Sequence, residues 1–172
     1  MARHDDFADF FAARFDTARR TAYTLCGNWA DAEEIAQHAF VRMYTRWAKV
    51  RRDTADAYLR TVLTRVFLDG KRRNRQREVI QAEPPEQAVQ PETAATEDRD
   101  ALLAALHQVP AKQRAALVLR FVHDLSVEQT AEALGCSVGT VKSQTARGLR
   151  TLREAYRRQA VELSVTKTPE CA

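Results

Sequence analysis

The sequence has few cysteines, few glycines and no long apolar run, and each shortage excludes a class of protein. Its three cysteines, Cys26, Cys136 and Cys171, lie far apart and form no Cys-x-x-Cys pair, so neither a disulfide framework nor a zinc site is expected. The five glycines form no Gly-rich loop that could hold a nucleotide phosphate. No stretch is apolar enough for a signal peptide or a membrane span, so we expect a cytoplasmic protein with no membrane partner.

The residues that usually carry catalysis do not form a constellation. The chain contains four histidines, His4, His38, His107 and His123. None of them has a nucleophile or a second metal ligand at a suitable spacing. Two adjacent acids, Glu33 and Glu34, project about 100° apart on a helix and cannot converge as an acid and base pair. We therefore expect no catalytic residues, no metal and no cofactor, in a protein that is not an enzyme.

Charge is present in abundance and is unevenly distributed. The net charge of +4 and the pI of about 9.2 indicate a nucleic-acid partner only weakly. Residues 71–77 contain five basic side chains, and residues 142–158 contain six against the single acid Glu154. Residues 78–98, in contrast, contain six acids and no base. Two basic regions are thus separated by an acidic one.

The hydrophobic pattern predicts helices throughout. Apolar residues recur every three or four positions over residues 6–26, 31–47 and 54–77, and again from about residue 98. No alternation of apolar and polar residues suggests a strand. With 45% hydrophobic residues the chain can form a core, and the predicted fold class is all-α.

The composition divides the chain into two small helical domains. The first covers residues 5–77 and the second residues 98–160. Between them, residues 78–97 are acidic, contain three prolines and no aromatic residue, and are predicted to be a flexible linker. Residues 161–172 are predicted to be a disordered tail.

The stretch "LGCSVGTVKSQTARGLRTLREAY", residues 134–156, predicts a turn followed by a long helix. Ser126 and Gln129 have the spacing of a capping box that opens a short preceding helix, Gly135 suits the end of that helix, and Ser137 suits the N-cap of the next. Together they predict a helix-turn-helix, in which the second helix enters the major groove of DNA. A helical hairpin with a solvated basic face is the alternative. The excess of positive charge favours DNA contact.

The basic end of the helix over 54–77 also allows two interpretations. Lys and Arg are favoured at any helix C-terminus because of the helix dipole. However, the excess of basic and polar residues extends over several turns and lies beside aromatic residues. Surfaces that bind single-stranded or melted DNA have the same combination.

The chain resembles the extracytoplasmic-function (ECF), or group 4, sigma factors of bacterial RNA polymerase, of the type common in actinomycetes. The segment "AYTLCGNWADAEEIAQHAFVRMYTRW" is similar to the first block of sigma region 2, and "DAYLRTVLTRVFLDGKRRNR" to the promoter-reading helix that follows. The segment "LSVEQTAEALGCSVGTVKS" is similar to sigma region 4. The resemblance implies region 2 in residues 5–77 and region 4 in residues 98–160.

The resemblance also implies functional residues and partners. The partners are core RNA polymerase (the clamp and flap of its large subunits), promoter DNA and an anti-sigma factor, and the free chain is expected to be a monomer. Polymerase contacts are implied for Asp31, Glu33, Glu34, Gln37, Phe40 and Arg42. Contacts with the −10 element are implied for Arg51, Asp56, Tyr58, Arg60, Thr61, Thr64, Arg65, Asp69 and Arg72. Contacts with the −35 element are implied for Thr140, Lys142, Ser143, Gln144 and Arg147, with Arg114 and Arg150 on phosphates.

Three positions depart from the family pattern and predict an unusual promoter preference. His38 replaces an acid, Arg65 replaces a frequent Asn of the −10 pocket, and Gln144 replaces a frequent Arg of the −35 helix.

The competing hypotheses are a stand-alone helix-turn-helix regulator, which leaves residues 29–77 without a role, and a protein-interaction adaptor without DNA contact.

Overall fold

The computed structural model describes the backbone of residues 2–78 and 97–166, and the side chains of residues 6–74, 98–159 and 161. The chain divides into two compact units, Met1–Val89 (unit 1) and Gln90–Ala172 (unit 2). The regular secondary structure of the described residues is entirely helical, which confirms the all-α prediction.

Unit 1 contains three long helices, α1 (Ala2–Cys26), α2 (Trp29–Arg46) and α3 (Ala55–Glu78). Gly27, with a φ of 85°, ends α1 in the left-handed conformation that glycine adopts without strain. The side chain of Asn28 then caps α2, because its Oδ1 accepts the Asp31 N–H at 2.8 Å. The prediction that α2 begins at residue 31 was therefore wrong by two residues, since the cap is an asparagine upstream of the acidic cluster.

The core of unit 1 is rich in aromatic rings. Phe40 is only 3% exposed, and its ring lies 4.9 Å from that of Phe11 and 5.9 Å from that of Phe15. Trp47 follows α2 and is 5% exposed. Aromatic pairs in tilted or edge-on contact stabilise a core beyond their area alone, so α1 is firmly packed on α2.

The described residues of unit 2 form four α-helices, α4 (Glu97–Gln108), α5 (Ala111–Leu117), α6 (Val127–Leu134) and α7 (Val138–Thr166). A π-helical turn over Val118–Val122 continues α5. The predicted break at Pro110 is confirmed, because proline lacks the N–H that a continuous helix would need there.

The buried stripe of α7 is narrower than the sequence predicts, since Val138, Val141, Thr145, Leu149, Leu152 and Tyr156 follow steps of three and four residues. Among the α7 side chains that the structure describes, the buried positions are Val141, Gly148 and Ala155, seven residues apart. A Cβ on Gly148 would lie 3.1 Å from Leu117 Cγ and 3.3 Å from Gln113 Cβ, so glycine permits the close approach of α5. Two small residues are therefore buried on α7, whereas Leu149 and Leu152 are partly exposed.

The structure changes some predicted boundaries. Because α7 extends to Thr166, residues 161–166 are helical and the predicted disordered tail begins too early. Residues 160–163, with the sequence AVEL, contain neither Gly nor Pro and continue the helix. Residues 78 and 97 of the predicted linker are also helical. The remainder of both predictions, residues 79–96 and 167–172, lies outside the described residues.

Candidate nucleic-acid interface

The helix-turn-helix of unit 2 has the predicted caps. Ser126 Oγ accepts the Gln129 N–H at 3.0 Å, and Gln129 Oε1 accepts the Ser126 N–H at 2.8 Å, which completes the capping box. Gly135 ends α6 with a φ of 65°. Ser137 Oγ accepts the Thr140 N–H at 3.1 Å and so caps α7. Three residues, Gly135 to Ser137, therefore turn the chain from α6 into α7.

This turn directs the first turns of α7 to solvent. Buried Val141 anchors the helix on its inner side. Gln144 is partly exposed, and the other predicted base-contacting residues and Arg150 are exposed. The exposed members are Thr140, Lys142, Ser143, Arg147 and Arg150. The structure thus brings six of the seven predicted −35 residues to one helix, and we call them the α7 face.

Two hydroxyl groups of the α7 face are already hydrogen-bonded. Thr140 Oγ1 lies 2.9 Å from Ser137 Oγ, and Ser143 Oγ donates to the Thr140 carbonyl at 3.0 Å. A hydroxyl can still accept a further hydrogen bond in this arrangement. The cations and the Gln144 amide therefore offer the stronger donors for base edges and phosphates.

Arg114 does not belong to this surface, which corrects the predicted phosphate contact. Its side chain is buried, with 7% of the residue exposed. The guanidinium donates to the His107 carbonyl at 2.7 Å and to the Val109 carbonyl at 2.9 and 3.2 Å. It therefore satisfies carbonyl groups at the end of α4 and in the α4–α5 turn, and a buried arginine held in this way does not reach DNA.

The second candidate surface lies on α3 and the turns before it. Arg51, Asp56, Arg65 and Arg72 are exposed, while the remaining predicted −10 residues, apart from Thr64, are partly exposed. These partly exposed residues are Tyr58, Arg60, Thr61 and Asp69. We call the eight residues together the α3 face.

Thr64 is a correction to the predicted −10 set. It is 1% exposed, and its Oγ1 donates to the Arg60 carbonyl at 2.9 Å within the helix. The stripe that includes Leu63 and Phe67 continues through this position, so Thr64 faces the core of unit 1. Its hydroxyl is satisfied by its own helix, as is common for threonine in helices.

Ion pairs link many charged residues of unit 1. Arg14 Nε lies 2.6 Å from Asp56 Oδ1, and Arg51 lies 2.7 Å from Asp53. Asp69 lies 3.1 Å from Arg42 and 3.7 Å from Arg72. Several charges of the α3 face are therefore held in place by neighbours before any partner binds.

The predicted polymerase-binding residues all lie on α2, and all but one of them are exposed. Asp31, Glu33, Glu34 and Gln37 are exposed, and Arg42 is exposed while paired with Asp69. Phe40, however, is buried in the aromatic core, and the prediction that it contacts a partner is wrong. Its position on the apolar stripe of α2 explains the burial.

Sequence reasoning missed three apolar side chains on the surface of unit 1. Phe11 is 39% exposed, Tyr44 is 45% exposed and Val41 is 62% exposed. Tyr44 adjoins the aromatic core, since its ring lies 5.0 Å from that of Phe7. Val41 lies outside the apolar stripe of α2. A large apolar residue at such a position is the feature of the sequence that could have indicated a contact surface.

Within the described residues, no cluster of three or more His, Cys, Asp or Glu side chains could hold a metal ion. The helices of that part of the chain also include none long and apolar enough to cross a membrane.

Cys26 is buried and its Sγ donates to the Asn28 carbonyl at 3.2 Å. Burial raises the pKa of the Cys26 thiol, which makes it a weak nucleophile.

Comparison with known proteins identifies the family to which both regions of the chain belong. The family model for sigma-70 region 2 matches residues 10–77, and that for sigma-70 region 4 matches residues 99–152. An RNA polymerase sigma-E factor of Streptomyces avermitilis is 37% identical over 150 residues, which are 87% of this chain and 84% of that protein. The ECF sigma factor SigL of Mycobacterium tuberculosis is 34% identical over 155 residues, covering 86% and 85% of the two chains.

A solved structure supports the fold. The sigma factor RpoE of Bartonella quintana, crystallised with the anti-sigma factor NepR, superposes with a TM-score of 0.73 at 23% identity. The match covers 88% of this chain and 97% of that chain. At this identity the likeness concerns the fold.

The chain belongs to the sigma-70 family of RNA polymerase sigma factors. Its relatives place it in the ECF group, among sigma factors of actinomycete type. The family resemblance inferred from the sequence is therefore confirmed. A stand-alone helix-turn-helix regulator is not favoured, because the region 2 match covers α2 and nearly all of α3.

Proposed function

We propose that this sigma factor binds core RNA polymerase through α2 and reads a bipartite promoter through the α3 face and the α7 face. The observation that carries the proposal is the α7 face, where a capped helix presents cations and a Gln amide beside one another. Such a helix fits the major groove and supplies donors to base edges and phosphates. The protein acts by binding, and RNA synthesis is left to the polymerase.

In unit 2, the proposal assigns the −35 element to Thr140, Lys142, Ser143, Gln144 and Arg147. Arg150 lies one turn further along α7 and is assigned to a phosphate. An Arg reads guanine best and a Gln reads adenine best, each through two hydrogen bonds. Arg114 acts instead as a residue that shapes the turn beneath this helix.

In unit 1, the α3 face is assigned to the −10 element. Arg51, Arg60, Arg65 and Arg72 supply positive charge for phosphates and donors for base edges, and partly exposed Tyr58 supplies a ring on which an unstacked base can pack. This combination suits a strand that has been melted from its duplex. Binding to the melted strand favours the open promoter over the closed one, because only the open form offers unpaired bases.

The polymerase-binding surface is proposed to include the acidic side of α2 and its apolar neighbours. Asp31, Glu33, Glu34 and Gln37 supply polar contacts around a patch formed by Val41 and Tyr44. An apolar centre with a polar rim is typical of a protein–protein interface. Core polymerase is the partner, with its clamp on unit 1 and its flap on unit 2.

The proposed domain organisation is region 2 in residues 5–77 and region 4 in residues 98–160, joined by residues 78–97. A 20-residue segment reaches at most about 65 Å when extended, which is enough to join two separated promoter elements. We further propose a cytoplasmic monomer without cofactor or metal. A monomer suffices because the two elements read by one chain are different and need no two-fold symmetry.

An anti-sigma factor is proposed as a regulatory partner. The structural relative from Bartonella quintana was crystallised with such a protein. An inhibitor that covered α2 or the α3 face would compete directly with polymerase or promoter DNA. The exposed apolar residues Val41 and Tyr44 offer it the same contact area.

Co-elution of the purified chain with core RNA polymerase on a sizing column tests the proposal. We expect a stable complex that is lost in the Asp31→Ala/Gln37→Ala variant. An Asp9→Ala/Asp16→Ala variant, which changes exposed residues of α1, is the matched control and should still bind. Failure of the unmodified chain to bind core polymerase, combined with tight binding to duplex DNA alone, would instead support a stand-alone regulator.

A further inference from the structure

The turn that precedes α3 is held by one side of α1. Two short 3-10 turns, Trp47–Lys49 and Arg52–Thr54, connect α2 to α3. Along α1, Asp6, Phe10 and Arg14 are spaced by four residues and so lie on one side of the helix. This side presents an acid, an aromatic ring and a base in order. We call these three residues the α1 clasp.

Each member of the α1 clasp meets a complementary partner. Asp6 forms an ion pair with Arg52, and the Phe10 ring lies 5.0 Å from the ring of Trp47. Arg14 binds Asp56 through two hydrogen bonds, at 2.6 and 3.2 Å. The contacts therefore begin at the first residue of the connecting turns and end in the first turn of α3.

The contacts also reinforce one another. The Arg52 guanidinium lies 4.6 Å from the centre of the Trp47 ring while it pairs with Asp6. The Trp47 ring lies 5.1 Å from that of Phe7 as well, so it is enclosed by α1 and by Arg52. A guanidinium over an aromatic face is held by the ring quadrupole, which limits the movement of Arg52.

The segment held in this way carries part of the α3 face. Arg51 projects from the turn between the two 3-10 segments, and its side chain is 78% exposed. Asp56 is exposed, yet both of its carboxylate oxygens already accept hydrogen bonds from Arg14. An acid close to DNA phosphates would repel them, and the pairing with Arg14 offsets that repulsion.

We propose that Asp6 and Arg14 of the α1 clasp, together with Asp56, are positioning residues that fix Arg51 and the start of α3 for reading the −10 element. Asp56 thus acts through Arg14 rather than by contacting a base. The proposal rests on the proposed function of the α3 face. Exposed ion pairs contribute little to stability, so their main effect is on the geometry of the segment rather than on folding.

A charge-swap experiment on the reconstituted holoenzyme tests the inference. The variants are Arg14→Glu, Asp56→Arg and the double variant that carries both changes. The measurement is transcription from one promoter and from derivatives with single base changes in the −10 element, expressed as the ratio of preferred to altered sequence. Arg20→Glu, an exposed change of the same charge on the same helix, is the matched control.

We expect each single reversal to lower the −10 discrimination ratio by about 3- to 10-fold, and the double variant to recover it to within about 2-fold, because paired residues show coupling in such cycles. Thermal unfolding and affinity for core polymerase should stay near those of the unmodified chain. Single variants that discriminate normally, or a double variant that recovers nothing, would overturn the inference. Arg14→Gln provides the same comparison without repulsion if a reversal prevents folding.

A second variant separates this inference from the proposed function. Arg65→Ala removes a cation of the α3 face that does not belong to the clasp, and it should also change −10 discrimination. If Arg65→Ala changes discrimination and the clasp variants do not, only the positioning inference is wrong. If Arg65→Ala and the clasp variants all leave it unchanged, the assignment of the α3 face to the −10 element is wrong, and the inference that rests on it is overturned too.

Discussion

The two candidate surfaces differ in how their charges are balanced. In unit 1, ion pairs connect Arg14 with Asp56 and Arg42 with Asp69, among others. On α7 of unit 2, residues 142–158 contain six basic residues and one acid. The charges on the surface of unit 1 are therefore largely paired within the unit, whereas most cations of α7 depend on a partner for a negative charge.

This difference indicates two ways of binding DNA. Cations without nearby acids gain most from phosphates, and their binding should weaken steeply with salt. Cations already paired gain less from phosphates but are held in a defined geometry. We infer that unit 2 contributes more of the affinity for promoter DNA, and that unit 1 contributes more of the discrimination at the melted element.

The largest effect is expected in the aromatic core of unit 1. Phe40→Ala should lower the free energy of unfolding of unit 1 by about 3–5 kcal/mol, because a buried Phe is replaced by a cavity. Tyr44→Ala, at an exposed neighbour on α2, should cost much less stability than Phe40→Ala and should weaken polymerase binding. Thermal unfolding and core-binding affinity of both variants check this. A stable Phe40→Ala protein that fails to bind polymerase would restore Phe40 as a contact residue.

The next largest effect is expected on the α7 face. Lys142→Glu/Arg147→Glu should reduce promoter-dependent transcription by about 100-fold and lower the slope of log affinity against log salt by about two, since two phosphate or base contacts are lost. Quantitative transcription and binding at several salt concentrations measure both. Arg99→Glu/Lys112→Glu, at exposed positions on α4 and α5, is the control and should retain most activity. Equal losses in both variants would mean that overall charge, not the α7 face, governs binding.

A moderate effect is expected where α7 packs on α5. Gly148→Val should destabilise unit 2 by about 1–3 kcal/mol, because a side chain there meets buried Leu117 at 3.1 Å. Gly139→Ala has open space, with its nearest contact 3.8 Å away, and should be neutral or stabilising by up to about 1 kcal/mol. Chemical denaturation of both proteins makes the comparison. A Gly148→Val protein as stable as the unmodified one would show that α5 can move aside.

The smallest effect concerns the buried thiol of unit 1. Burial raises the pKa of Cys26 from its ordinary value of 9.0. The folded state therefore keeps the proton to a higher pH than the unfolded state, so stability is unaffected below about pH 9 and falls as the pH rises from there through the raised pKa of the folded state. The pH profile of unfolding above pH 9 should be steeper for the unmodified chain than for Cys26→Ser. Parallel profiles would contradict this.

The same burial predicts slow alkylation. In the native protein Cys26 should react with iodoacetamide at least about tenfold more slowly than the partly exposed Cys136, since the thiolate is the nucleophile. Mass spectrometry of labelled peptides distinguishes the two sites. Similar rates would indicate that the end of α1 opens readily.

Helix-level features were predictable from the sequence because they depend on local chemistry. The capping box joins Ser126 to Gln129, and the α7 cap joins Ser137 to Thr140. Each of these contacts, like the turn at Gly135, depends on residues that are close together in the sequence. The exposed cations of α7 followed from the same helical period. Local rules were therefore sufficient for the helix-turn-helix.

Features that depend on contacts between distant segments were not predictable in this way. Arg114, Thr64 and Phe40 have residue types that suit a binding surface or match the family pattern, but packing places all three inside. The pairing of Arg14 with Asp56 joins residues 42 positions apart, and no local pattern indicates it. Similarly, the small residues Gly148 and Ala155 are buried on α7, although hydrophobicity favours Leu149 and Leu152, which are partly exposed.

The central claim, that one chain reads two promoter elements for core polymerase, is tested most directly by selecting active promoters from a random DNA library with reconstituted holoenzyme. We predict two separated blocks of preferred sequence, with Arg147→Ala altering the upstream block alone and Arg65→Ala altering the downstream block alone. A single preferred block, or transcription from the same sequences by core polymerase without this chain, would contradict the account.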